Sequence, residues 1–117
     1  MNHKVRNALA TERTVDITTT GRRSGEARRI EIWFHNVKGR IYITGMPGSR
    51  DWYANLLADP QLTFHLKESV TADLDATALP ISGEEKRRVL RTILERLGKD
   101  NIDEWMERSP LVEVTFA

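Results

Sequence analysis

Six short segments alternate apolar and polar residues with a period of two, and a chain built this way must place one face of each segment against a common core. Val15, Ile17 and Thr19 form the first set, Ile30, Ile32 and Phe34 the second, and Ile41 and Ile43 the third. Leu62, Phe64 and Leu66 follow, then Val70, Ala72, Leu74 and Ala76, and finally Val112, Val114 and Phe116. The strands are expected over 15–20, 28–35, 40–44, 61–67, 69–78 and 112–116. Asn36-Val37-Lys38-Gly39 has hairpin-turn chemistry, with Gly39 free to take a positive φ. Trp33 falls on the opposite face from Ile30, Ile32 and Phe34, where it meets a ligand, a helix or a second copy of the chain.

Two helices interrupt the strand pattern. Ser49 reads as the N-cap of a short helix over 50–58 that Asp59-Pro60 stops, with Trp52 and Leu56 on one face. Ser82-Gly83-Glu84-Glu85 has capping-box spacing ahead of Val89, Leu90, Ile93, Leu94 and Leu97, and Gly98 suits the C-terminal stop. A further helical turn fits 102–106. The expected fold is mainly β (α+β): a small antiparallel barrel of about six strands with two or three peripheral helices. Residues 1–13 read as a polar lead-in and 14–117 as one domain.

Composition excludes several functions. The chain has 117 residues and no cysteine, which removes disulfides, thiolate catalysis and Cys-based zinc sites. His3, His35 and His65 lack metal-ligand spacing, so no metal is expected. No segment is apolar enough to span a membrane or act as a signal peptide, and a cytoplasmic setting is expected. The net charge of +1 hides a basic first half and an acidic second half. That asymmetry argues for a local anionic ligand and against nucleic acid.

The candidate receptor lies between the first two strands. Arg22, Arg23, Arg28 and Arg29 surround Ser24-Gly25, and guanidinium groups bind phosphates and carboxylates through paired hydrogen bonds at any working pH. A solvated hairpin tip would carry the same residues. A second candidate is Gly45-Met46-Pro47-Gly48-Ser49-Arg50, where a glycine-rich loop enters a helix and exposes backbone N–H groups. A plain Pro-Gly turn is the alternative. Trp33, Trp52 and Tyr53 are the aromatic candidates for stacking. No Ser-His-carboxylate set or paired carboxylates can be assembled by spacing, and chemistry carried by a cofactor accounts for such a chain.

Thr19-Thr20-Gly21-Arg22-Arg23-Ser24-Gly25 with Arg28, followed by Asp51-Trp52-Tyr53-Ala54-Asn55-Leu56 and Asp59-Pro60, resembles the deazaflavin-dependent nitroreductase family. The resemblance runs from about Thr14 to Leu79. It implies a split β-barrel of the flavin-reductase and pyridoxamine-phosphate-oxidase kind. It also implies coenzyme F(420), a 5-deazaflavin with a phosphate and an oligoglutamate tail, as cofactor. Carried over residue by residue, the implied cofactor contacts are Arg22, Arg23, Ser24 and Arg28, with Gly45, Met46, Pro47, Gly48, Ser49 and Arg50. Trp52 and Tyr53 would shape the pocket wall. The loop is shorter than in many relatives, and Arg50 replaces their lysine as its cation.

The implied activity is hydride transfer to a small-molecule electron acceptor: a quinone, a nitroaromatic or an activated enone. No catalytic side chain is assigned. FMN in the same barrel is one alternative. A non-catalytic module for a flavin, tetrapyrrole or lipid is another. An outward-facing Trp33 suits a homodimer.

Overall fold

One antiparallel sheet of seven strands organises the chain, with strand order β2-β1-β5-β6-β7-β4-β3. The computed structural model describes residues 1–117. Its strands are β1 (Thr14–Thr20), β2 (Ala27–Trp33), β3 (His35–Val37), β4 (Arg40–Thr44), β5 (Gln61–Leu66), β6 (Ala72–Pro80) and β7 (Leu111–Phe116). Four helices accompany them: α1 (His3–Thr11), α2 (Asp51–Ala58), α3 (Gly83–Leu97) and α4 (Ile102–Arg108).

The second expected strand, 28–35, is divided at Phe34. Residues before it pair with β1, from Thr14↔Trp33 to Thr20↔Ala27. Residues after it pair with β4, from His35↔Tyr42 to Val37↔Arg40. β2 and β3 are therefore neighbours in sequence and opposite edges of the sheet. A sheet whose two edges are joined by a single residue must curl, and the result is a split barrel. Phe34 marks the corner: its N–H donates to the Arg13 carbonyl at 2.8 Å and its ring is buried. The ring meets Phe64 edge-on at 5.3 Å, and Phe64 meets Phe116 in the same manner at 5.2 Å.

The barrel interior holds Val15, Ile17, Phe34, Ile41, Ile43, Leu62, Phe64, Leu66, Ala76, Ala78, Val112 and Val114. The expected core phase of β1, β4, β5 and β7 is thus the observed one. Ile30 of β2 differs: it is 38% exposed, because it lines an open cleft. A second apolar layer places Val37, Tyr42 and Leu111 under Val89, Leu90, Ile93, Leu94 and Trp105 of α3 and α4. This is why β4 is buried on both faces.

Residues 3–11, read from sequence as part of a polar lead-in, form a helix whose Val5, Ala8 and Leu9 enter the barrel core. The Asn2 side chain caps it by accepting from the Val5 N–H at 2.9 Å. The capping expectations for the other helices change. Arg50, not Ser49, occupies the N-cap of α2, and no side chain caps that terminus. Ser82 sits at the N-cap of α3 without a side-chain hydrogen bond, and Gly83 enters the helix at φ 65°. Gly98 ends α3 at φ 70°, as its position suggests. Lys38 and Gly39, at φ 54° and 86°, form the tight β3–β4 turn.

Leu9→Ala should cost about 2–5 kcal/mol of unfolding free energy in urea denaturation if α1 is part of the core. A change near zero would show that the helix is dispensable.

Candidate functional site

The β1–β2 hairpin tip is built so that its arginines stand at the open end of the barrel. The Gly21 N–H donates to the Glu26 carbonyl and the Gly25 N–H to the Gly21 carbonyl, each at 2.8 Å. Gly25 takes φ 71°. A Cβ on Gly21 would lie 2.6 Å from Ser24 Oγ and 3.3 Å from the Glu26 carbonyl oxygen, so a side chain there would push the serine hydroxyl out of its place. Ser24 Oγ accepts from the Glu26 N–H at 3.1 Å and from Arg28 at 3.4 Å, which turns the serine inward to its own loop.

The register then sorts the arginines. Arg28 pairs with Thr19 across the hairpin, on the face that carries Ile17 and Ile30. Arg29 points to the other face, where its Nε lies 3.0 Å from Asp16. Lys67 also reaches Asp16 at 2.7 Å and bridges to Glu31. The hydrogen bond from Lys67, then that from Arg29, holds the Asp16 carboxyl below the usual carboxylate range. Arg29 therefore belongs to a lattice of charges on the outer sheet face and not to the receptor.

A cleft of about 680 Å³ opens between this tip and α2, lined by Thr19, Gly21, Arg22, Arg23, Ser24, Arg28, Ile30, Asp51, Trp52 and Asn55. Asn55 is its hidden hinge. It is 4% exposed, and its Oδ1 accepts from the Arg22 N–H at 3.1 Å and from Arg22 Nη1 at 2.9 Å. Its Nδ2 donates to Thr19 Oγ1 at 3.3 Å. One buried amide thus ties α2 to both β1 and the tip. The sequence signal was the Asp51–Asn55 spacing of four, which places both polar groups on one helix face. Arg22 Nη2 reaches Asp51 at 3.3 Å.

Arg22, Arg23, Ser24, Arg28 and Trp52 are brought together as expected. Arg23 is exposed and stands outside every ion pair of the tip. Arg28 has Glu26 as its one carboxylate partner, at 3.5 Å, beside the Ser24 hydroxyl at 3.4 Å. Trp52 forms the cleft wall, and Tyr53 packs behind it with ring centroids 5.9 Å apart.

The second expected element lies apart from this lining. Gly45, Met46, Pro47, Gly48, Ser49 and Arg50 line no part of the cleft. Arg50, expected as an anion contact, turns back into its own loop. Its Nη2 donates to the Met46 carbonyl at 2.8 Å and its Nη1 to the Ser49 carbonyl at 2.9 Å. A Cβ on Gly45 or Gly48 would come within 3.2 or 3.1 Å of that guanidinium. The two glycines make room for the arginine, which is a structural use of the motif.

Two histidines have unforeseen surroundings. His65 links three strands, with Nε2 2.7 Å from Thr18 Oγ1 and Nδ1 2.7 Å from Asp73. The trio has the order of a hydroxyl–imidazole–carboxylate relay, but it lies on paired strands whose N–H groups are used in the sheet. That leaves no free backbone N–H to form an oxyanion hole, and the trio serves as a cross-strand brace. Burial, and then the Arg96 and Arg13 guanidiniums, lower the pKa of His35 from 6.5 to about 4. No three His, Asp or Glu side chains converge as a metal site.

The curled seven-stranded sheet with an open basic cleft at its end defines a split-barrel fold. The family model for F(420)H(2)-dependent quinone reductase matches residues 2–115, and the chain belongs to that family. It is a deazaflavin-dependent oxidoreductase, with coenzyme F(420) as cofactor and a small molecule as acceptor. Solved structures agree on the fold. Conserved hypothetical protein Rv2991 from Mycobacterium tuberculosis superposes with TM-score 0.74 at 21% identity, covering 99% of this chain and 81% of that one. An F420-H2 dependent reductase, FDR-A, gives TM-score 0.67 at 22% identity over 89% of this chain and 95% of its own. The heme storage protein HutZ from Vibrio cholerae gives 0.74 at 16% identity, covering 97% and 88%.

Asn55→Ala should lower stability by about 1–3 kcal/mol, since it strands the Arg22 N–H and the Thr19 hydroxyl. Equal denaturation midpoints would refute the hinge. His35 is neutral in the folded chain while the unfolded histidine protonates first, so its stabilisation is present above pH 6.5 and is lost as pH falls toward about 4. Melting curves of His35→Phe should lose that part of the acid sensitivity. An unchanged pH profile would contradict the assignment.

Proposed function

We propose that the cleft between the arginine tip and α2 holds the anionic part of coenzyme F(420), and that the acceptor is a quinone, nitroaromatic or activated enone. The carrying observation is the pair Arg23 and Arg28. Both guanidiniums flank the cleft, one without any carboxylate partner and one with only an exposed pair at 3.5 Å. Such groups are available to phosphate and carboxylate oxygens without breaking internal structure. The first turn of α2 adds N–H groups that no side chain caps. This donor set fits a cofactor with one phosphate and several carboxylates.

When bound, the reduced deazaflavin supplies a hydride to an electrophilic acceptor. The protein's own residues bind and orient. Arg23 and Arg28 neutralise the tail, Trp52 gives the cleft an apolar wall, and Asn55 fixes the separation of tip and helix. The lining contains no histidine, lysine or tyrosine, so no proton-transfer side chain is assigned. Gly45, Met46, Pro47, Gly48 and Ser49 support the reading less directly, as the mount that sets the start of α2.

The structure has no helix long and apolar enough to cross a membrane. The reading carries a cytoplasmic setting and a homodimer, the latter supported by Trp33, 49% exposed on the outer face of β2.

Side-by-side fluorescence titrations with coenzyme F(420) and FMN test the reading, with saturable binding expected for F(420). Arg23→Ala and Arg28→Ala should each weaken it about ten- to hundredfold, most clearly at low salt. Preference for FMN, or equal affinity in mutants and parent, would overturn it. Tight binding with no turnover of a quinone and nitroaromatic panel would favour a storage module.

A further inference from the structure

We infer that Asp51 is a specificity-determining residue: its carboxylate occupies the outer arm of Arg22 and competes there with ligands that carry more than one anionic group. The inference rests on the cleft being the cofactor's anion receptor. Among the lining residues Asp51 is the sole carboxylate, facing three arginines.

The two arms of Arg22 are held very differently. Nη1 and the backbone N–H rest on Asn55 Oδ1 at 2.9 and 3.1 Å, and that amide is 4% exposed. Nη2 rests on Asp51 Oδ1 at 3.3 Å, and the Asp51 side chain is 92% exposed. A buried amide with three contacts stays in place. An exposed carboxylate on one long contact exchanges readily with water or another anion. The outer arm is thus an exchangeable position within an otherwise fixed fork, and a ligand carboxylate or phosphate can take it with the same geometry.

Displaced, Asp51 still has a favourable place. It is the first residue of α2, where a negative charge interacts well with the helix dipole. The helix therefore loses little when the pair opens. A single phosphate is satisfied by Arg23 and Arg28, which Asp51 does not touch. Further carboxylates of a tail reach Arg22 and meet the competitor. Asp51 thereby weakens polyanionic ligands more than monophosphates.

Asp51→Asn removes the competing charge and keeps the side chain's size. Expected at low salt is about three- to tenfold tighter binding of coenzyme F(420) by fluorescence, against less than about twofold for FMN. Asp103→Asn is the charge-matched control, because Asp103 is 90% exposed and pairs with Arg87 on the far helices. It should change neither affinity. Unchanged or weaker F(420) binding in Asp51→Asn would overturn the inference and show that Asp51 instead positions Arg22. So would equal tightening in Asp103→Asn, which would reduce the effect to net charge. If the parent protein binds no F(420), the functional reading fails separately, and inorganic tripolyphosphate followed by thermal shift then reads the competition alone. Asp51→Asn should still bind tripolyphosphate more tightly than the parent, and equal shifts would overturn the inference there too.

Discussion

Because β2 and β3 are consecutive in the chain yet form opposite edges of the sheet, the one-residue link at Phe34 makes closure of the barrel compulsory. Everything else is arranged around that closure. The interior left by the curled sheet is filled by the three edge-to-face phenylalanines. Val5, Ala8 and Leu9 enter that core from α1, and Trp52 and Leu56 enter it from α2. An α2 that must bury Trp52 and Leu56 presents its next face, with Asp51 and Asn55, to the end of β1. The cleft is a consequence of how the barrel is stoppered.

In and around the cleft, the arginines do different work. Arg22 is anchored to a buried amide and stiffens the site. Arg29 serves the outer sheet face, and Arg50 holds its own loop together through two carbonyls. Arg23 and Arg28 keep capacity for an outside anion. The division follows from the two-residue period of the strands, which sends Arg28 and Arg29 to opposite faces, and from the buried acceptor at Asn55.

This division also explains what was legible beforehand. The alternation of Ile17, Phe64 and Val114 exposes the core because one face of each strand is dry. The break at Phe34 was not legible, since the apolar alternation runs through it without interruption; the change of partner is set by closure, which is non-local. Val5, Ala8 and Leu9 had helical spacing, but three small or medium side chains among polar neighbours give a weak signal. Asn55 reads as solvent-facing until β1 is placed against it. Arg50 reads as a free cation, although Gly45 and Gly48, where a Cβ would crowd its guanidinium, were the local trace of its inward turn.

The character of the cleft follows from what its lining omits. Its lining holds arginines, one carboxylate, a threonine, a serine, an amide and apolar groups. Arginine keeps its charge at every working pH, and the His35 imidazole lies outside the lining. The charge of the site is therefore constant near neutrality, and ionic strength is the variable that modulates it. A site of this kind offers fixed guanidinium donors and no acid–base pair of its own. That matches a family whose chemistry resides in a deazaflavin ring, and it accounts for a cleft rich in anchors and lacking an acid–base pair.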